Sequence, residues 1–235
     1  MSGTLYLVAT PIGNLNDITL RALEVLKDVD VILAEDTRVT VKILKHFAFE
    51  KKLISYSEYS SDEKNAKILA ELQSGINYAL VSDAGTPAVS DPGAVLVALA
   101  RAHEIAVVPV PGASAVTALM SVFGERSPFF HFWGFWPMKN KKRKQFVQYF
   151  QDVPGTHVFF ESPYRILKTL KNDFLPLSGR MLVGRELTKK FESFYDGTPS
   201  EVLEKLTKSA VKGEFVIAYC HGAAPEPDAD DKEED

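Results

Sequence analysis

Four short apolar runs, residues 5–9, 29–34, 77–81 and 105–110, each end in a loop rich in Gly, Pro, Asp, Ser or Thr and then pass into a helical pattern. That alternation constrains the fold more than any other feature of the chain. A short run of Val, Ile, Leu and Ala without polar alternation is a strand buried on both faces, and a helix between two such strands lets them lie parallel. The helical patterns carry their own punctuation. Asp17 is placed to cap a helix whose apolar stripe begins at Leu20, Leu23 and Leu26. Residues 62–74 are amphipathic and stop at Gly75, and Pro92 and Gly93 open a run to Arg101. The fold class expected is α/β, with a mostly parallel sheet.

From about Glu125 the texture changes. Phe129, Phe130, Phe132, Trp133, Phe135 and Trp136 form an aromatic stretch, followed by the basic run Lys139-Asn140-Lys141-Lys142-Arg143-Lys144. Strand and helix patterns then resume at 157–161, 165–173, 181–185, 201–208 and 214–220. The expected division is a first α/β domain over 1–123, a second over 124–222, and a tail over 223–235.

Composition narrows the function classes. With 46% hydrophobic residues among 235, the chain can build a sizeable core. Cys220 is the single cysteine, which excludes a disulfide framework and a CxxC site; the five histidines have no paired ligand spacing, so no metal is expected. Residues 105–124 carry no charge over a length that could span a membrane, but Pro109, Pro111 and Gly112 break the run into a strand, a turn and a helix. No secretory pattern opens the chain, and the expectation is a cytoplasmic protein with no membrane contact. The net charge of −4 is set by residues 226–235, which hold seven acids and one lysine, so the rest of the chain is slightly positive. That tail is expected to be disordered and solvated.

In open α/β sheets, ligands bind beyond the carboxyl ends of the strands. Five loops qualify: Thr10-Pro11-Ile12-Gly13-Asn14-Leu15, Glu35-Asp36-Thr37-Arg38, Ser82-Asp83-Ala84-Gly85-Thr86-Pro87, Ser90-Asp91-Pro92-Gly93 and Pro111-Gly112-Ala113-Ser114-Ala115. None is a GxGxxG or a GxxxxGK[ST] loop, so a nicotinamide or nucleoside triphosphate site lacks its usual signal. Each loop alone is an ordinary turn, but their convergence on one sheet edge is what a pocket requires. Glu35 and Asp36 beside Arg38 can polarise a hydroxyl or bind a sugar; equally, Asp36 or Thr37 can cap a helix and pair with Arg38. Glu161 and the Arg185-Glu186 pair are the corresponding polar strand ends of the second half. The run 139–144 next to Trp133 and Trp136 suits RNA, cations for phosphates and exposed rings for bases; the alternative is a solvated helix start beside core aromatics.

Read together, these segments resemble a known family. Thr10-Pro11-Ile12-Gly13-Asn14-Leu15 with Asp17-Ile18-Thr19, Ala34-Glu35-Asp36-Thr37-Arg38, and Val81-Ser82-Asp83-Ala84-Gly85-Thr86-Pro87 with Ser90-Asp91-Pro92-Gly93 are similar to the ribosomal RNA small-subunit methyltransferase I family of the tetrapyrrole methylase superfamily. Gly134-Phe135-Trp136-Pro137, Phe160-Glu161-Ser162-Pro163-Tyr164-Arg165, Gly184-Arg185-Glu186-Leu187-Thr188-Lys189 and Gly213-Glu214 agree. The resemblance implies two α/β domains of class III methyltransferase type with S-adenosylmethionine in the cleft between them, a homodimer, and 2′-O-methylation of a cytidine in the decoding region of 16S ribosomal RNA. It implies cofactor contacts at Ile12, Thr86, Val89, Ser114, Ala115 and Leu187. The fifth loop departs from the usual Pro-Gly-Pro-Ser-Ala, and an acidic tail stands where many relatives continue with a helical segment.

For such a reaction the expected division of labour is Glu35 or Asp36 orienting the ribose hydroxyl, with Arg38, Arg185 and Lys189 holding phosphates beside Lys141, Lys142, Arg143 and Lys144. Two rivals stay open: a methylase of a tetrapyrrole or other small molecule, and a non-catalytic RNA-binding factor retaining the fold.

Overall fold

The computed structural model describes residues 2–125, 129–209 and 211–221. The acidic tail expected over 223–235 lies outside the described residues. The chain forms two compact units, Met1–Ala115 and Val116–Asp235. The division therefore falls ahead of the expected one near residue 123, and α5 (Ala115–Phe123) goes with the second unit apart from its first residue. Two interactions explain the assignment. Leu119 lies against the bare face of Gly184, and the Arg180 guanidinium stacks 5.6 Å from the centre of the Phe123 ring.

The first unit is a five-stranded sheet of β1 (Thr4–Val8), β2 (Val31–Ala34), β3 (Lys52–Ser55), β4 (Tyr78–Val81) and β5 (Ala106–Val110). Its order is β3-β2-β4-β1-β5, and every neighbouring pair is parallel. The fully buried β2 and β4 are the two most continuously apolar runs. Helices α1 (Leu20–Asp28), α2 (Thr37–His46), α3 (Asp62–Gln73) and α4 (Ala94–Ala102) supply the crossovers. The cap of α1 is Thr19, which accepts from the Ala22 N–H, rather than Asp17, which sits in a short 3-10 turn upstream. Strand β3 goes unmarked in the sequence because an edge strand reading Lys-Leu-Ile-Ser has too little apolar content to stand out.

The second unit departs from the parallel expectation. Its sheet contains β6 (Phe130–Phe135), β7 (Gly155–Glu161), β8 (Arg180–Arg185), β9 (Ser193–Gly197) and β10 (Phe215–His221), in the order β6-β7-β10-β8-β9. Only β6 and β7 pair in parallel; the other three pairings are antiparallel. The physical reason at β8–β9 is the connection, seven residues without a helix, which is too short for a parallel crossover. Helices α6 (Asn140–Asp152), α7 (Ile166–Thr169, running into a π turn at Leu170–Phe174) and α8 (Pro199–Thr207) complete the unit.

Its core is aromatic: Trp136, Phe150, Phe159, Phe174 and Tyr219 are all fully buried. The Trp136 indole N–H donates to Asp173 Oδ2 at 2.9 Å. Trp133 packs against Phe146, Tyr149 and Phe150 and donates to His157 Nδ1 at 3.2 Å. The two tryptophans are thus core side chains and not the exposed stacking rings that their place beside the lysines suggested.

Candidate active site

Because all five strands of the first sheet run the same way, the five loops picked out in the sequence emerge at one edge, and they are stitched together. Thr10 and Gly85 form an isolated bridge between the loops after β1 and β4. The Thr10 hydroxyl donates to the Ser82 carbonyl at 3.1 Å. Gly85, at φ +80°, turns the backbone where a side chain would come within 3.5 Å of Ile12 and 3.7 Å of the Ala113 carbonyl. Gly112 likewise lets the loop after β5 approach Ala9 of the loop after β1. Three loops therefore meet with little more than backbone between them. Ile12 is buried against this junction, Thr86, Ser114 and Ala115 are half-buried beside it, and Val89 is half-exposed.

The loop between Thr86 and Gly93 is conformationally unusual. Ala88 and Ser90 hold φ values of +64° and +65°, which side-chain-bearing residues adopt only when the surroundings impose them. This loop brings Asp91 toward the end of β2. A cavity of about 520 Å³ opens there, lined by Glu35, Glu58, Tyr59, Ser90, Asp91 and Pro92 among others.

The carboxylates at this edge divide by environment. Asp36 caps α2: its Oδ1 accepts from the Arg38 backbone N–H at 2.8 Å, and both oxygens take the Arg38 guanidinium, the shortest approach being 2.6 Å. Those bonds hold its carboxyl down at about 2. Glu35 instead faces the cavity. Burial raises its pKa above the ordinary value, and the nearby Asp83 and Asp36 charges add to the rise while a backbone hydrogen bond opposes it. Burial, then the Glu35 and Asp83 charges, push Asp91 up to about 6, against a hydrogen bond from Ser82. Asp83 is tied to the same group, its Oδ1 accepting from the Asp36 N–H at 3.0 Å. The structure thus separates Glu35, on the cavity wall, from Asp36, on the helix cap. Asp91 was missed as a single residue; its signal was that it is the one acid in a Ser-Asp-Pro-Gly loop at a strand end.

The remaining sequence candidates scatter. Arg38 is exposed but bound in a bidentate pair to Asp36. In the second unit, Arg185 Nε donates to the Lys212 carbonyl at 2.6 Å, and Lys189 is paired with Glu186 at 3.0 Å and Glu214 at 2.9 Å. Lys189 already has two carboxylate partners, which argues against its expected role of holding phosphates. Leu187 is buried and seated on the bare face of Gly184, between Glu186 and Thr188, both at positive φ. Glu161 is buried as well, accepting from the Ser162 N–H and the Thr169 hydroxyl at 2.6 Å each and pairing with Arg165 at 2.6 Å.

The basic run splits too. Lys141, Lys142 and Lys144 are exposed, whereas Arg143 turns inward to within 3.4 Å of Asp173 Oδ2. Arg143 serves the aromatic core, because its spacing on α6 places it on the side facing the π turn.

Comparison with known proteins agrees with this architecture. The family model described as Tetrapyrrole (Corrin/Porphyrin) Methylases matches residues 4–203. The chain is 44% identical over 228 residues to the ribosomal RNA small subunit methyltransferase I of Halalkalibacterium halodurans, covering 96% of this chain and 79% of the relative. It is 45% identical over 226 residues to the protein of that name from Synechocystis sp., covering 95% and 81%, and 48% identical over 218 residues to that from Streptococcus pyogenes serotype M1, covering 92% and 76%. Among solved structures, diphthine synthase superposes with a TM-score of 0.72 at 16% identity, covering 93% of this chain and 90% of that one. Uroporphyrin-III C-methyltransferase from Thermus thermophilus, complexed with S-adenyl homocysteine, superposes at 0.63 with 20% identity, covering 93% and 98%. These two likenesses bear on the fold alone.

Proposed function

The chain belongs to the tetrapyrrole methylase family, among the ribosomal RNA small subunit methyltransferases I, and on that footing we propose that it methylates a cytidine ribose 2′-oxygen in small-subunit ribosomal RNA. It is an S-adenosylmethionine-dependent rRNA methyltransferase; the nucleotide, the 2′-oxygen and the particle are our reading. The observation that carries this reading is the position of Glu35, a raised carboxylate on the wall of an open cavity at the same sheet edge as the glycine-lined loops.

The first-unit loops suit the cofactor. Gly85 and Gly112 leave bare backbone beside apolar Ile12, Ala9 and Ala113, where a flat nucleoside can lie against main chain. Ile12, Thr86, Val89, Ser114 and Ala115 would hold it, with Leu187 a further contact that the family resemblance implies. When bound, S-adenosylmethionine supplies an activated methyl group on a sulfonium whose departure leaves a neutral thioether. What remains for the protein is alignment and proton removal. Holding the hydroxyl in line with the methyl can supply several kcal/mol, roughly 7–11 at best. The ribose hydroxyl is a weak nucleophile while it keeps its proton, so a carboxylate or other basic group within hydrogen-bond reach is expected. Glu35 is the residue we assign to orient that hydroxyl and accept from it. Burial first, and then the Asp83 and Asp36 charges, raise its affinity for the proton.

Lys141, Lys142 and Lys144 are the residues we assign to ribosomal RNA phosphates. We further infer a homodimer acting in the cytoplasm on the small ribosomal subunit. Among the described residues no helix is long and apolar enough to cross a membrane. The test is transfer of label from radioactive S-adenosylmethionine to undermodified 30S subunits, mapped by nuclease digestion and mass spectrometry. Label on a single ribose oxygen is expected; cofactor binding without label on RNA overturns the substrate.

A further inference from the structure

Beyond the lysines of α6, the second unit carries exposed side chains to which the proposed function gives no role, Tyr164 and Met138 foremost. Strands β6 and β7 are parallel neighbours, so the segments that follow them leave the sheet side by side at one edge. The Trp136 N–H donates to the Phe160 carbonyl at 2.9 Å and holds the two exits together. One exit runs through Met138 and Lys139 into α6, the other through Ser162, Pro163, Tyr164 and Arg165 into α7. Both present apolar side chains to solvent: Tyr164 is 95% exposed and Met138 is 82% exposed. A side chain of that size, standing clear of a loop whose backbone is fixed by buried Glu161 and by the Tyr164 N–H donating to the Ser162 hydroxyl, has no packing role.

The exposed, unpaired charges of these two segments have one sign. Lys139, Lys141, Lys142 and Lys144 on the first segment and Lys168 and Lys171 on the second are exposed, and none is ion-paired among the described residues. No acid occurs from 139 to 150 or from 162 to 172. The flanking carboxylates, Glu161 and Asp173, are buried and already partnered. Asp173 also binds the two segments into one body, since it takes both the Trp136 indole and the Arg143 guanidinium. The edge is therefore a rigid cationic surface with an aromatic ring and a thioether projecting from it.

We propose that this edge binds single-stranded RNA: an unpaired base stacks on Tyr164 beside Met138, and the phosphates on either side lie against Lys139, Lys141 and Lys142 of one segment and Lys168 and Lys171 of the other. The assignment rests on the reading that the substrate is ribosomal RNA, and extends it to residues remote in sequence from the basic run. A duplex fits poorly, because its bases are already stacked on one another, whereas a single strand offers a free π-face at every base.

The test uses the full chain and a fluorescently labelled pyrimidine-rich oligoribonucleotide, single-stranded or annealed to its complement, with dissociation constants read over a salt series. Tyr164→Ala is expected to weaken the single strand roughly ten-fold or more, and Tyr164→Phe to restore it, because the ring and not the hydroxyl stacks. Lys168→Gln with Lys171→Gln is expected to lower the salt slope by about 0.7 for each phosphate no longer neutralised. S-adenosylmethionine affinity is expected to be unchanged in all of them, which also shows that the variants are folded. Wild-type protein that methylates 30S subunits, with Tyr164→Ala and the double lysine variant binding RNA like wild type, overturns the surface alone. Wild-type protein that transfers no methyl to 30S subunits overturns the substrate reading beneath it. Variants that lose binding to the intact particle but keep it for the naked oligoribonucleotide make the partner a ribosomal protein and overturn the RNA assignment.

Discussion

Thr10 and Gly85 exchange both backbone hydrogen bonds, the Thr10 N–H donating to the Gly85 carbonyl at 2.9 Å and the Gly85 N–H to the Thr10 carbonyl at 3.0 Å. Two loops separated by most of the first unit's length are thereby locked at the end of adjacent strands β1 and β4. The bridge requires Gly85 at φ +80°, and it sets the floor on which Ile12 and Ala113 approach each other.

Gly85→Val tests that floor. A β-branched residue at this φ costs on the order of 1–3 kcal/mol, and its methyl groups would crowd Ile12. S-adenosylmethionine affinity, measured by calorimetry, is expected to fall at least ten-fold. A lowered melting temperature with unchanged cofactor affinity would remove this loop from the cofactor site.

Glu35→Gln and Asp36→Asn are adjacent in sequence and should behave differently. The first removes the carboxylate facing the cavity and is expected to lower kcat about 100-fold or more at unchanged cofactor affinity. The second keeps a cap acceptor for the Arg38 N–H and weakens only the charge of the exposed Arg38 pair, so melting temperature and turnover are both expected to stay near wild type. Equal losses of kcat in both would place Asp36 in the chemistry.

Asp91 makes stability depend on pH. Its carboxyl is held at about 6 by burial and by Glu35, above its ordinary value of 3.8. The folded state thus holds this proton more tightly than the unfolded chain. Its contribution favours folding at acid pH and is lost as pH rises through about 6. Asp91→Asn is therefore expected to melt above wild type at about pH 8, with the gap narrowing toward about pH 4. A gap independent of pH would show that Asp91 carries no shifted proton.

Arg143 separates from its lysine neighbours. Arg143→Ala breaks a largely buried pair with Asp173, with an expected loss of roughly 2–3 kcal/mol of stability and no change in the salt dependence of RNA binding. Gln at Lys141, Lys142 and Lys144 together should do the reverse, lowering the salt slope at constant melting temperature. Chemical denaturation and binding over a salt series distinguish the two patterns.

Much of the first unit is legible in the chain. Strands β2 and β4 are continuous apolar runs because an interior parallel strand is buried on both faces; β1 and the edge strand β5 are also largely apolar, and the loops that follow these four are marked by Gly, Pro and Asp. Edge strands β3 and β9 are not legible, since solvent on one side permits polar residues such as Lys52, Ser55 and Asp196. The aromatic stretch hid β6, whose register shifts between Phe132 and Phe135, with Gly134 at φ +67°.

The order of residues along the chain is enough to specify an α/β protein, to put its polar loops at strand ends, and to assign its motifs to a family. All of these follow from local periodicity and from residue types at fixed spacing. Three-dimensional packing was needed to turn Glu35 to a cavity while Asp36 caps a helix, to bring Asp91 beside Glu35, to direct Arg143 inward, and to leave Tyr164 exposed on the segment that follows the strand paired with β6. Those outcomes depend on which way each side chain leaves its element and on what lies opposite. That opposite partner is supplied by residues tens of positions away, through packing that no local pattern encodes.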